Sequence, residues 1–198
     1  MFAALVALTA CGSDETGQPT AQVGGPTANV GDSTGNKTDV ETPQVVNPVQ
    51  NLEKYKQAPC SMLTHQQAES IDFPRPEDAT EAGQPGCRWR GYRDSRVTIT
   101  IQSGKKWTLA GYYEVHAEYP ESYAYFEPLK VDGFPAVFAS DFDQRKTGGS
   151  CAMTVALTNQ DVLRMSNGLF LGTAQRNDPC AQLQETAELA VKTISAGK

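Results

Sequence analysis

Tyrosine and glutamate side chains that could bind a sugar are concentrated in residues 112–127, which hold five tyrosines and four glutamates. Tyrosine joins an apolar ring to a polar tip, so its ring can stack on a sugar. A glycosidase needs two carboxyl groups on opposite sides of the bond that it cleaves, and no spacing among these glutamates selects such a pair. The stretch therefore favours a binding surface over an active site. The alternative to a binding surface is that these residues form a helix and a loop that only pack on a sheet. The candidate ligand-binding residues are Tyr112, Tyr113, Tyr119 and Tyr123.

A second candidate binding surface consists of basic side chains in residues 88–106. Arg88 and Arg90 alternate with Cys87 and Trp89, and a period of two places the arginines on the opposite face of a strand. This row could bind an anionic glycan or a lipid headgroup. The alternative is a solvated strand face whose arginines pair with acids across the sheet. The other basic residues of the cluster are Arg93, Arg96, Lys105 and Lys106.

Composition and motifs argue against several other kinds of chemistry. The formal net charge of −6 is unfavourable for binding nucleic acid, which requires a basic surface. The chain has two histidines: His65 lies on the outer part of a predicted helix, and His116 fits a packed or surface position. The predicted globular domain, residues 58–198, contains no G-x-S-x-G nucleophile motif. The sequence therefore predicts no catalytic residue, no cofactor and no metal site.

The five cysteines divide into one predicted lipidation site and two predicted disulfides. Leu8-Thr9-Ala10-Cys11 fits the bacterial lipobox, in which the cysteine thiol carries diacylglycerol. The even number that remains in an exported chain favours disulfides over zinc, which usually binds close pairs such as C-x2-C. Three connectivities are open. We favour Cys60–Cys87 and Cys151–Cys180, because each bridge joins the first turn of a helix to the start of a strand.

The chain before the predicted domain divides into an anchor and a tether. Residues 1–11 contain an apolar stretch that ends at Cys11, as in a signal peptide with a lipobox. Residues 12–57 are rich in Gly, Thr, Asn, Pro and Gln, and their lack of periodicity predicts a disordered linker. Residues 58–198 form the predicted globular domain. No apolar run in the sequence is long enough to span a bilayer, so we expect the lipid to hold the chain at the membrane.

The elements that must position these residues show helical and extended patterns in turn. Apolar residues at helical spacing predict helices over 61–71, over 109–118 and from residue 178 onwards. Period-two patterns predict strands at 87–93 and 97–101, and we expect further strands at 126–131, 136–141, 151–158 and 162–171. The order αββαββββα predicts the α+β class, with an antiparallel sheet flanked by helices.

Several short motifs together resemble a known family. They are Pro59-Cys60-Ser61-Met62-Leu63-Thr64, Gly86-Cys87-Arg88-Trp89, Val131-Asp132-Gly133-Phe134-Pro135-Ala136-Val137, and Asp178-Pro179-Cys180 before an Ala-rich helix. With the lipobox and the tether, their order and spacing resemble the actinobacterial lipoproteins grouped as "domain of unknown function 3558". The resemblance implies a surface lipoprotein with two disulfides and an α/β sandwich similar to the PsbP-like fold. It implies no catalytic residues, because none is assigned in that family.

The sequence thus predicts a secreted, lipid-anchored lipoprotein at the outer face of the cell membrane. We expect a non-enzymatic, monomeric module that binds a glycan, a lipid or a protein of the envelope. The alternative is an envelope enzyme or accessory subunit that acts on cell-wall glycan or lipid through the stretch rich in tyrosine and glutamate. A third hypothesis is a structural role, in which the domain docks on a membrane complex.

Overall fold

The computed structural model describes residues 40–196. The predicted lipidation site Cys11 and residues 12–39 of the predicted tether lie outside the described residues. Among the helices of the described part, none is long and apolar enough to cross a membrane.

Seven antiparallel strands form one sheet in the order β1-β2-β3-β7-β6-β5-β4. The predicted α+β class with an antiparallel sheet is confirmed. The strands are β1 Arg75–Glu81, β2 Gln84–Arg90, β3 Arg96–Ser103, β4 Tyr125–Val131, β5 Phe134–Ser140, β6 Ala152–Ala156 and β7 Asp161–Gly168. The α-helices are α1 Glu53–Gln57, α2 His65–Ser70, α3 Leu109–Glu118 and α4 Pro179–Ala196.

The predicted order αββαββββα lacks one strand and one helix of the structure. The missing strand, β1, lies at the edge of the sheet, and none of its residues is buried. Pro74 and Pro76 predict the end of a helix. Pro76 also lies within β1, and a proline inside a run of residues argues against a strand. An edge strand tolerates proline, because one of its sides needs no hydrogen-bonding partner. The missing helix is α1, which lies in the segment that composition assigns to the tether.

The packed part of the chain begins before residue 58, where composition places the domain boundary. Val45, Val49, Leu52 and Tyr55 are all buried. The Val49 N–H donates a hydrogen bond to the backbone carbonyl of Leu157, the residue that follows β6 (3.0 Å). These apolar residues recur every three or four positions, a spacing that is hard to see among the prolines and asparagines around them. The boundary predicted at residue 58 is therefore too late.

Different helices cover the two faces of the sheet. Helix α4 buries its apolar residues at the predicted spacing of three or four, namely Leu183, Ala187, Ala190, Val191 and Ile194. Helix α3 packs on the opposite face, where Leu109 and Tyr112 cluster with Val137, Ala139 and Ala156. Alternation along β7 places Leu163 and Met165 in the core under α4. Arg164, between them, therefore faces the side of α3.

Both predicted disulfides are confirmed. Cys60–Cys87 joins a 3-10 turn to β2, with Cα atoms 4.9 Å apart, and Cys151–Cys180 joins the residue before β6 to the first turn of α4, at 5.2 Å. Beside the second bridge, the buried Asn167 side chain accepts from the Cys151 N–H (2.8 Å) and donates to the Pro179 carbonyl (2.7 Å). The end of β7 is thereby joined to the start of α4.

Candidate functional site

A cavity of about 340 Å³ lies between α3 and the sheet, and we call it the α3 pocket. Thr108 caps the helix, because its Oγ1 accepts a hydrogen bond from the Gly111 N–H (3.1 Å). The cap sets where α3 begins and so which of its residues lie over the sheet. The side chains that line the pocket include Lys106, Trp107, Tyr112, Tyr123, Asp141 and Arg164.

Two of the four tyrosines singled out in the sequence line the α3 pocket. Tyr112 and Tyr123 stack, with ring centroids 6.0 Å apart and planes at 17°. Tyr113 instead meets Phe126 edge to face at 5.1 Å, and Tyr119 is half-exposed outside the pocket. Helix α3 separates Tyr112 from Tyr113, because consecutive residues of a helix point in directions about 100° apart.

Arg164 of β7 is a pocket residue that no sequence pattern indicates. Its Nη1 donates a hydrogen bond to the Tyr112 hydroxyl, and its Nε donates to Glu81 Oε1 at 3.3 Å. Glu81 belongs to β1, three strands away in the sheet. On β2, between them, Gly86 has no side chain, and a Cβ there would collide with Thr100 Oγ1. The two hydrogen bonds hold the guanidinium of Arg164 at the pocket wall.

The protonation states in the α3 pocket follow from burial and from neighbouring groups. Burial lowers the pKa of the Arg164 guanidinium, but Tyr112 and Glu81 outweigh burial and raise that pKa above its ordinary value. Burial, reinforced by Tyr112, raises the pKa of the Tyr123 phenol to about 12. Near neutral pH the pocket therefore presents a charged guanidinium and a neutral phenol that can donate a hydrogen bond.

The structure places Arg88 and Arg90 outside the α3 pocket and in ion pairs. Glu77 Oε1 lies 3.2 Å from Arg88 Nη1 and 2.9 Å from Arg90 Nε, and Asp94 Oδ1 lies 3.6 Å from Arg90 Nη1. The hydrogen bond from Arg90 is the main cause that holds the pKa of Glu77 below its usual value. Glu77 comes from β1, the strand that the sequence did not predict. Its carboxylate makes the basic row a set of paired strand residues.

The comparison with protein families gives a match over residues 6–193, to a family described as "Protein of unknown function (DUF3558)". The chain belongs to the DUF3558 family. The resemblance carried by the cysteine and loop motifs is thereby confirmed, and the family's description assigns no activity. No curated protein and no solved structure matches the chain, so the likeness to a PsbP-like sandwich stays a prediction.

A larger cavity of this DUF3558 domain, about 560 Å³, lies among the segments that follow α2, β2 and β7. We call it the loop-end pocket, and its lining includes Ile71, Phe73, Arg75, Tyr92, Ser95 and Leu169. Arg75 Nη2 donates a hydrogen bond to the Gly91 carbonyl (2.6 Å), and Ser95 Oγ accepts one from the Phe170 N–H (2.9 Å). No sequence pattern indicates this pocket, because its walls come from three separate segments.

The two histidines of the DUF3558 chain line neither pocket. His65 Nε2 lies 3.1 Å from Glu69 Oε1, and both side chains are exposed. The His116 ring stacks on Phe126 at 4.0 Å between centroids, which is a packed position. Within residues 40–196, no group of three or more His, Cys, Asp and Glu side chains could hold a metal ion.

Proposed function

We propose that this DUF3558 chain is a lipid-anchored, extracytoplasmic binding module of the cell envelope, lipidated at Cys11, and that its ligand occupies the α3 pocket. The lipobox in the sequence supports the anchor. The two disulfides support an exported domain, because disulfides persist in oxidising compartments. The module acts as a monomer whose membrane contact is the N-terminal lipid.

The observation that carries the binding role is the composition of the α3 pocket. Its volume of about 340 Å³ falls in the usual range of ligand pockets, roughly 300–1,000 Å³. Aromatic rings from Trp107, Tyr112 and Tyr123 supply apolar walls, while Asp141 and Arg164 supply polar groups. Rings beside a few converging polar groups suit a ligand with a ring face and hydroxyls, such as an envelope glycan.

The alternative, an envelope enzyme or accessory subunit, has less support at this site. Among the described residues that line the α3 pocket, one carries a carboxylate, Asp141, whereas glycoside hydrolysis needs two. Glu114, a glutamate of the same stretch, lines a different cavity together with Thr108 and Asn159. The pocket therefore favours binding without bond cleavage.

The anchor is tested by comparing the chain with its Cys11→Ser variant in a bacterium that processes lipoproteins. We expect the unchanged chain to partition into detergent and to gain the mass of a diacylglycerol at Cys11. The variant should stay in the aqueous phase. Equal partition of the two chains into the aqueous phase, without added mass, would contradict lipidation.

The ligand site is tested with a soluble muramidase digest of bacterial cell wall as the probe. Binding to the Cys11→Ser chain is followed by chemical-shift changes and by titration. Tyr123→Ala should weaken binding about tenfold, because it removes one stacking ring. Tyr119→Ala is the matched control and should leave binding unchanged, since Tyr119 lies outside the pocket. Equal weakening by both variants would move the site away from the α3 pocket.

A further inference from the structure

We propose that the α3 pocket recognises an anionic sugar unit, that is, a pyranose ring that carries a carboxylate or a phosphate. This inference rests on the proposed function and names the ligand class of the same site. It is carried by the charges that line the pocket and by the hydrogen-bonding groups that remain available there.

The first observation is an unpaired lysine at the pocket. Lys106 lines the α3 pocket, and its Nζ lies over the Trp107 ring, 5.0 Å from the centroid. Within the described part of the chain, no carboxylate lies within 4 Å of Lys106. An ammonium group beside an aromatic ring can bind an anion while the ring stacks on the attached sugar.

The second observation is the way in which Arg164 is held. Its Nε and Nη1 are occupied by Glu81 and Tyr112. Its Nη2 makes no hydrogen bond to any residue of the described range and is not sealed from solvent. A guanidinium that is fixed on one side and open on the other is suited to donate to a carboxylate or phosphate oxygen with little loss of side-chain entropy.

The third observation is the distribution of charge at the pocket. Its lining carries two cations, Lys106 and Arg164, and one carboxylate, Asp141, while Glu81 pairs with Arg164 Nε at 3.3 Å. Lys106 is the cation that has no such carboxylate partner within the described residues, so an anionic group of the ligand can pair with its ammonium. Asp141 and Ser140 also line the pocket, and their oxygens can accept hydrogen bonds from sugar hydroxyls. A neutral sugar would use the rings and these acceptors but would leave Lys106 and Arg164 Nη2 without an anion.

The proposal is tested by calorimetric titration of the full chain carrying Cys11→Ser with two matched pairs of probes. Digalacturonate is compared with its dimethyl ester, which differs in charge, and glucose 6-phosphate is compared with glucose. We expect the anionic member to bind about tenfold more tightly in at least one pair, and the advantage to shrink as salt is added. The pair that shows the advantage identifies carboxylate or phosphate as the anion.

Two neighbouring lysines provide the variant and its control. Lys106→Gln should weaken binding of the anionic probe about three- to tenfold and leave the neutral probe unaffected. Lys105→Gln makes the same charge change one residue away and should leave both unaffected, since Lys105 does not line the α3 pocket. Lys105 and Lys106 are exposed, so neither variant threatens folding.

The outcomes separate this inference from the proposed function. Equal affinity for the anionic and neutral probes, or equal effects of the two lysine variants, would overturn the anionic class while leaving a sugar site in the pocket. Binding of the cell-wall digest without binding of any of the four probes would also overturn it. If neither the digest nor the probes bind, the proposed function itself is wrong.

Discussion

The α3 pocket and the loop-end pocket differ in what their polar groups do. The loop-end pocket is the larger, about 560 Å³ against 340 Å³, yet three of its polar side chains form hydrogen bonds with the backbone. Arg75 donates to the Gly91 carbonyl, Ser95 accepts from the Phe170 N–H, and Thr173 Oγ1 donates to the Phe170 carbonyl (3.0 Å). The first two hydrogen bonds join neighbouring segments and the third lies within one segment, so these three groups are already engaged.

In the α3 pocket, by contrast, several polar groups have no structural task. The Ser122 Oγ makes no hydrogen bond within residues 40–196, and neither does the hydroxyl of Tyr123. The helix cap at Thr108 and the pairing of the strands already hold this region in place. The comparison teaches that available polar groups, rather than volume, distinguish a candidate ligand site from a cavity left between loops.

The largest effect is expected when the disulfide Cys151–Cys180 is removed. This bridge holds the start of α4, which follows the β7–α4 segment that lines the loop-end pocket. Replacing Cys151 and Cys180 by serine together should lower the free energy of unfolding by about 3–4 kcal/mol in the chain-entropy model. Hydrogen exchange should also accelerate in residues 169–178, between β7 and α4, because the bridge holds the start of α4. Binding of the cell-wall digest to the α3 pocket should stay within about twofold below the unfolding transition.

The other disulfide supplies the control for this experiment. Cys60–Cys87 closes a loop of 27 residues, against 29 for Cys151–Cys180, so its loss should cost a similar global stability. Exchange in residues 169–178 should nevertheless accelerate less in that variant. Equal acceleration in both variants would show that Cys151–Cys180 has no local role in holding residues 169–178.

The second expected effect compares one serine from each pocket. Ser95→Ala leaves the N–H of Phe170 without its acceptor (2.9 Å). Because Ser95 is buried, this should cost about 1–3 kcal/mol of unfolding free energy in denaturant titrations. Ser122→Ala in the α3 pocket should change that free energy by less than about 0.5 kcal/mol. A loss as large for Ser122 as for Ser95 would remove the distinction between the two pockets.

The sequence predicted those parts of the fold whose signals are local. The spacing of Leu183, Ala187 and Ile194 predicted α4, and the position of each cysteine beside a helix or strand start predicted the two bridges. β1 was missed because its information lies in its partner: an edge strand with Pro76 and without a buried residue has no pattern of its own.

The same limit applies to the α3 pocket: residues with a local signal could be predicted, and residues defined by distant contacts could not. Tyrosine is conspicuous in a sequence, so Tyr112 and Tyr123 could be predicted, although only the helix geometry separates Tyr112 from Tyr113. Arg164 looks like an ordinary solvent-facing residue of a strand. Its partners Tyr112 and Glu81 are 52 and 83 residues away in the chain, and no local pattern connects them.

The smallest effect on stability is expected for Tyr123→Phe. This variant tests whether the Tyr123 hydroxyl in the α3 pocket has a structural role. Burial raises the pKa of the Tyr123 phenol from 10.0 to about 12. The folded chain therefore keeps the phenol proton at a pH where the unfolded chain has lost it. The associated stabilisation is complete below pH 10 and is lost as the pH rises from 10 towards 12.

Tyr123→Phe should therefore leave the free energy of unfolding at neutral pH within about 0.5 kcal/mol, since its hydroxyl has no partner within the described residues to lose. Ultraviolet absorbance should show one fewer phenol titrating near pH 12, while Tyr119→Phe should remove a different phenol and leave that component in place. The stability of Tyr123→Phe should also fall less steeply above pH 10 than that of the unchanged chain. A large loss at neutral pH would mean that the Tyr123 hydroxyl is engaged in holding α3 on the sheet, and the contrast between the pockets would then fail at its central residue.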